Sequence, residues 1–334
     1  MKTAIFSFLS RILYVAAIWT LSACEHHELC YDHSHVTHIN VVFDWEKAPS
    51  ASPKSMSLYL LPAGGGMPIR HDFGNATGGL IRVPIGKYSA ICLNSDTEGI
   101  VCRNTDRRET FEVTTRTTEL LSDFYPRKKG RTEIPRAEGT ENERVALAAD
   151  WLWSSHAEDI DIGAESFSVG GVDIKEKELR MFPEKSVNLH TVEIRNARNL
   201  GYVTSVRGTL TSMSGGILPG FGPKVLTDER VTIPFDVSIS SDGKTITGKV
   251  LTFGHCPSET AVHTLTIYAI LADGSKWYYT YDVTPQMHGA SGGDPLEGGH
   301  ILLEDLPLPK PIEGDGGFQP SIDEWQDVDV GIEM

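Results

Sequence analysis

Residues 230–253 read RVTIPFDVSISSDGKTITGKVLTF. Val231, Ile233, Phe235, Val237 and Ile239 occupy every second position, with polar residues on most of the others. Strand side chains point alternately to opposite faces, so this spacing predicts a half-buried strand. Asp242-Gly243 then interrupts the run, and Thr245 to Phe253 returns as a second strand. An Asp-Gly pair between alternating runs predicts a hairpin with a type I′ turn, in which both central residues need φ > 0. The design repeats downstream, where Val262 to Leu271 meets Ala272-Asp273-Gly274-Ser275 and returns through Lys276 to Val283. Two such hairpins, with no long amphipathic helix after residue 155, predict a β domain.

The same period extends upstream. Ile39, Val41, Phe43 and Trp45 alternate with other residues, as do Met56, Leu58 and Leu60, and Phe111 with Val113. Between Ile81 and Leu93 two apolar runs flank Pro84-Ile85-Gly86. Short strands punctuated by Gly and Pro argue for sandwiches. A chain of 334 residues has room for two domains. The expected fold class is therefore all-β, with tandem β-sandwiches over residues 39–163 and 164–306. The acidic stretch Glu158 to Glu165 is taken as the boundary, and the polar segment Tyr125 to Arg144 as a long loop. Trp151 and Trp153, two apart, share one strand face and could stack on a sugar ring or close the edge of a core.

The two ends differ from the middle. Met1 to Ala23 carries Lys2, Arg11 and the uncharged run ILYVAAIWTLSA, the pattern of a secretory signal peptide and too short to span a bilayer. It ends in Leu21-Ser22-Ala23-Cys24, which resembles a bacterial lipobox, so Cys24 is the expected lipidation site and residues 24–38 a lipidated tether. Two or more acyl chains give stable membrane anchoring. At the other end, residues 307–320 are rich in Pro and Gly. Beyond them come Trp325 and the alternating Val328, Val330, Ile332 and Met334, so residues 307–334 read as a hinge followed by a strand. A strand with unpaired edges gains by adding to an open sheet, its own or a partner's, which makes these five residues a candidate donor strand.

Chemistry-bearing motifs are sparse. There is no H-E-x-x-H, Walker A or G-x-G-x-x-G pattern, and no enzyme activity or cofactor is expected. With 30 Lys+Arg against 45 Asp+Glu, the net charge of −15 argues against non-specific nucleic-acid binding. Export permits disulfides. Cys92 and Cys102 flank a turn-like segment and could bridge a hairpin. Cys30, His33 and His35 could supply three ligands to Zn²⁺ or copper, yet they sit on the tether, where no scaffold fixes their geometry, and a polar spacer is the plainer reading.

The opening Cys24-Glu25-His26-His27-Glu28-Leu29-Cys30-Tyr31-Asp32-His33-Ser34-His35, with Val41-Val42-Phe43-Asp44-Trp45, resembles the start of a family of Bacteroidales lipoproteins of uncharacterised function. Pro84-Ile85-Gly86-Lys87-Tyr88, Thr252-Phe253-Gly254-His255, Trp277-Tyr278-Tyr279 and Gly317-Phe318-Gln319-Pro320 are similar too. That family looks related to fimbrillins and to the lipoproteins that anchor or accompany them. The resemblance implies transthyretin-like (Greek-key) sandwiches and a fimbrial anchor or accessory subunit at the outer membrane or cell surface. It implies membrane attachment through acyl chains and fimbrillin-like subunits as partners, joined by β-strand addition. The alternative is a surface lipoprotein that binds glycans without polymerising.

Overall fold

Two sandwiches are built from strands that follow the alternation of the sequence. The computed structural model describes residues 35–121, 133–257, 262–288, 298–311 and 325–329. The expected signal peptide, Cys24 and most of the tether lie outside the described residues. The chain separates into Met1–Val36 and Thr37–Met334, and the second unit holds both sandwiches.

In the first half the strands are β1 (Val36–Phe43), β2 (Met56–Pro62), β3 (Ile69–Phe73), β4 (Gly78–Pro84), β5 (Gly86–Asn94), β6 (Ile100–Arg103) and β7 (Glu112–Thr115). There follow β8 (Arg144–Val145), β9 (Trp153–Ile162), β10 (Phe167–Val169), β11 (Val172–Asp173), β12 (Glu178–Met181) and β13 (Glu184–Lys185). One sheet runs β11-β10-β9-β5-β2-β3, with β13 also on β9, and it faces a second sheet, β12-β1-β4. Ile39, Val41 and Phe43 point inward from β1 to meet Leu58, Leu60, Ala90 and Cys92. Strands β2 and β5 are buried on both faces. Their other side, Tyr59, Leu61, Ile91 and Leu93, packs with Phe111, Val113, Leu152, Ile217 and Phe253, a core shared between the two halves. This explains why these two strands read as nearly continuous apolar runs.

The junction expected at residues 163/164 moves. Strands β10 and β13 pair with β9, and β12 pairs with β1, so the first sandwich runs on to Lys185. The acidic stretch misled because it is a strand with an acidic outer face. Ile160 and Ile162 are buried while Glu158, Asp159 and Asp161 between and beside them are exposed.

The second half contains β14 (Asn188–Arg195), β15 (Val203–Ser214), β16 (Gly216–Ile217), β17 (Arg230–Ile239), β18 (Ile246–Thr252), β19 (Thr264–Leu271) and β20 (Lys276–Asp282). A short helix α1 (Thr284–Met287) precedes β21 (His300–Glu304) and β22 (Trp325–Asp329). The strand order is β21-β14-β18-β17-β15-β19-β20-β22. One core contains side chains from both ends of this order, so the sheet folds over on itself. The fold line is β17. Its residues Arg230 to Asp236 pair with β15, and Val237 to Ile239 pair with β18. A strand that changes leaf in this way makes the corner of a sandwich. A small sheet, β16-β7-β6, joins the halves.

Phe235 lies across this corner against two glycines. A Cβ on Gly208 would stand 2.5 Å from the ring, and one on Gly248 would stand 2.8 Å from it. Overpacking of this kind costs about 1–3 kcal/mol. Gly208→Ala is therefore expected to lower the unfolding free energy measured in urea by that amount, and a value equal to the parent's would show that the ring has room to move.

The Asp-Gly hairpins form, with a different turn. Gly243 (φ 66°) and Gly274 (φ 82°) adopt the left-handed conformation, whereas Asp242 and Asp273 keep negative φ. Gly243 N–H donates to Ser240 C=O at 3.0 Å, and Gly274 N–H donates to Leu271 C=O at 2.9 Å. These are type I turns closed by a glycine bulge rather than type I′ turns, and they ask φ > 0 of the glycine alone.

The expected hinge also starts later than residue 307. Leu306 and Leu308 are buried in the second core, and Tyr279 Oη donates to Pro307 C=O at 3.2 Å. The Leu-Pro alternation is an extended apolar segment that packs.

Candidate functional site

The exposed end of the second sandwich is formed by β20 and the C-terminal strand. Tyr279 and Tyr281 of β20 face the core, and Tyr278 and Thr280 lie on the other face. Beside them β22 pairs in parallel, with Trp325 opposite Lys276 and Asp329 opposite Thr280. Three side chains hold it. The Trp325 ring meets Tyr268 edge to face, with centroids 5.4 Å apart. Val328 packs on the core. Asp327 sits opposite Tyr278, and burial and then this carboxylate raise the pKa of the Tyr278 hydroxyl. Tyr268 is itself fully buried, and its hydroxyl donates to Pro135 C=O at 2.8 Å.

The strand is only lightly attached. Burying parts of one Trp and one Val contributes about 2–4 kcal/mol, and its ladder hydrogen bonds add about 1 kcal/mol each. Ordering each residue costs about 1–2 kcal/mol. The two sides nearly balance over five residues. Of the candidate donor-strand residues, Trp325 and Val328 thus lie on the protein's own sheet, and Val330, Ile332 and Met334 lie outside the described residues.

The other sequence candidates fall as follows. Cys92 and Cys102 do not face each other. Cys92 points into the core of the first sandwich, while Cys102 packs against the core shared between the halves, and both are free thiols. The reason is pairing. Strand β6 pairs with β7, which in turn pairs with β16, instead of folding back on β5, so no Cys92–Cys102 hairpin exists. Burial pushes the Cys92 thiol up to about 12. Of the proposed tether ligands, Cys30 and His33 lie outside the described residues, and His35 is exposed in the turn before β1. Trp151 and Trp153 stack with centroids 6.1 Å apart and 18° between planes, and Trp45 meets Trp153 edge to face at 6.3 Å.

Two features escaped the reading of the sequence. Gly289-Ala290-Ser291-Gly292-Gly293 matches G-x-S-x-G by letter. A nucleophile of that type sits on a strand-to-helix turn. This run follows α1 instead, and it lies outside the described residues. The second is a group of three histidines, His255, His263 and His288, drawn together from separate segments. Their spacing matches no metal-binding motif, and the fold alone unites them. Among the described residues no helix is long and apolar enough to cross a membrane.

Fold and site together define an all-β protein of two sandwiches with a C-terminal strand laid on the outer edge. The chain belongs to the family described as a domain of unknown function, DUF5119, whose model matches residues 23–236. A Bacteroides ovatus protein named "Putative fimbrium anchoring subunit Fim4B" is 22% identical over 220 residues. The match takes in 66% of this chain and 58% of that protein, so the chain spans little more than half the length of this relative. Among solved structures, one described as a "putative adhesin" from Bacteroides ovatus has the same fold, with a TM-score of 0.56 and 20% identity over 83% of this chain and 94% of that one. The fimbrial anchor protein Mfa2 from Porphyromonas gingivalis aligns with a TM-score of 0.45 and 11% identity, over 80% of this chain and 90% of that one.

Proposed function

We propose that the protein is a fimbrial anchor or accessory subunit. It is held at the outer membrane or cell surface by acyl chains on Cys24, and it engages fimbrillin-like partner subunits by β-strand addition. Its work is binding rather than catalysis. The observation that carries this reading is the lightly held strand β22. It occupies the edge of β20 through a five-residue parallel ladder and the side chains of Trp325, Asp327 and Val328, so a partner's strand can compete for that edge and β22 can leave for a partner's sheet. The Bacteroides ovatus relative named "Putative fimbrium anchoring subunit Fim4B" supports the same role.

Deleting residues 321–334 tests the strand. The expected result is a folded protein whose urea midpoint changes little and which no longer co-purifies with fimbrial subunits from the cell envelope. Retained co-purification with native stability would reject strand addition. Cys24→Ser tests the anchor, and this variant should leave the membrane fraction completely. A second reading, glycan capture, draws on the stacked Trp151–Trp153 pair, because Trp151 is 45% exposed. Polysaccharide retention that disappears in Trp151→Ala would favour it.

A further inference from the structure

A cluster of imidazoles lies beside a β-bulge in β15. The register of β15 on β17 slips between Leu210 and Met213, and Ser212 there has φ 58°. Thr211 lies within the slip, and His263 Nδ1 lies 3.1 Å from its carbonyl oxygen. A carbonyl oxygen can only accept, so Nδ1 carries the proton and Nε2 holds the lone pair. His255 follows Gly254 after β18 and bridges Met213 just past the bulge. His288 ends α1, where its N–H donates to Thr284 C=O at 3.0 Å.

The candidate ligand nitrogens of His255, His263 and His288 all lie within 4.8 Å of one another. Among the described residues, four buried imidazole nitrogens have no hydrogen-bond partner, and three belong to this group: both of His255 and Nε2 of His263. Buried polar atoms are nearly always satisfied, so three orphans at one point call for an occupant. The neighbouring His190 is different. Its Nδ1 accepts from Gly299 N–H at 3.1 Å and its Nε2 lies 3.2 Å from Thr252 Oγ1, which leaves no lone pair to offer.

We infer that His255, His263 and His288 form a binding site for a divalent transition metal of the zinc class. Neutral imidazole nitrogens are the ligands such ions prefer, and a hydrogen bond from the far nitrogen to a carbonyl is the usual support for a metal-bound histidine. The Thr211 carbonyl supplies that support to His263. Tetrahedral ligation at 2.0–2.1 Å sets the nitrogens about 3.3 Å apart. The rings therefore close on the ion, and His288, which is exposed, has the freedom to move. His263 is fully buried and fixed. Three ligands leave the fourth position for water. The ion would tie together the segment after β18, the start of β19 and the end of α1. This site is independent of strand addition, and the two stand or fall separately.

The test is calorimetric titration of Zn²⁺ into chelator-stripped, detergent-solubilised mature protein. The tether histidines are the rival site, so His26, His27, His33 and His35 are first replaced by Ala and Cys30 by Ser. One ion per chain should still bind, and the melting midpoint should rise with zinc. His288→Ala changes only an exposed side chain and should weaken binding at least tenfold, as should His255→Ala. No uptake by the tether-substituted protein at micromolar zinc, or uptake unchanged in both His288→Ala and His255→Ala, would overturn the assignment.

Discussion

Replacing Glu143 with alanine is expected to remove about 3 kcal/mol of stability or more, because it leaves three donors without their acceptor and each buried group left unmatched costs about 1–3 kcal/mol. Glu143 is 9% exposed and serves the bulge of β15 from behind. Its Oε2 accepts from Ser212 N–H at 3.1 Å and from Thr232 Oγ1 at 2.7 Å, and its Oε1 accepts from Ser212 Oγ at 3.1 Å. Arg136 closes the group, with Nη2 donating to Glu143 C=O at 2.8 Å and to Thr232 Oγ1 at 3.2 Å. Alanine leaves Ser212 N–H and two hydroxyls buried without an acceptor. It does so where Ser212 already holds a left-handed conformation that costs about 1–3 kcal/mol. Glutamine keeps one acceptor oxygen and should fall between alanine and the parent. Urea unfolding measures the series, and a loss below about 1 kcal/mol in Glu143→Ala would mean that the bulge supports itself.

Acid should weaken the second sandwich through His190. Burial, followed by the neighbouring His255 and His263, pushes its pKa down from 6.5 to about 4. The neutral ring is already matched to its surroundings. Gly299 N–H donates into Nδ1, and a proton there would set two donors against each other. The unfolded chain takes up this proton near pH 6.5 and the folded chain only near pH 4. Between those values the unfolded state binds more protons. Stability is therefore whole above pH 6.5, declines as pH falls, and has lost its full increment at pH 4. The difference corresponds to about 3 kcal/mol. Melting midpoints between pH 7.5 and 4.5, taken with chelator present, should drop accordingly. The drop should shrink in His190→Gln, and an identical slope in that variant would assign it to other groups.

Much of the architecture was legible because burial in a sheet follows a period of two. Ile39-Val41-Phe43 and Val231-Ile233-Phe235 point inward as their alternation requires. The acidic face of β9 was not legible. Glu158, Asp159 and Asp161 resemble a linker by composition, and only the burial of Ile160 and Ile162 reveals a strand. The cysteine bridge failed for a related reason. Cys92 and Cys102 are close in sequence, but the strands that carry them join different sheets. The tether histidines were conspicuous because they are adjacent in the chain. His255, His263 and His288 were not, since a loop, a strand start and a helix end meet only after folding.

By itself the sequence determined the class of fold, the faces that turn inward and the hairpins at Asp242-Gly243 and Asp273-Gly274. Tertiary structure alone decided which edges meet: β1 with β12, β8 with β17, and β22 with β20. The physical reason is that side chains record which face is apolar, whereas strand edges are joined by backbone N–H and C=O groups that every residue carries. Partner choice, and with it the gathering of the three imidazoles behind a bulge, follows from how the whole chain closes on its cores.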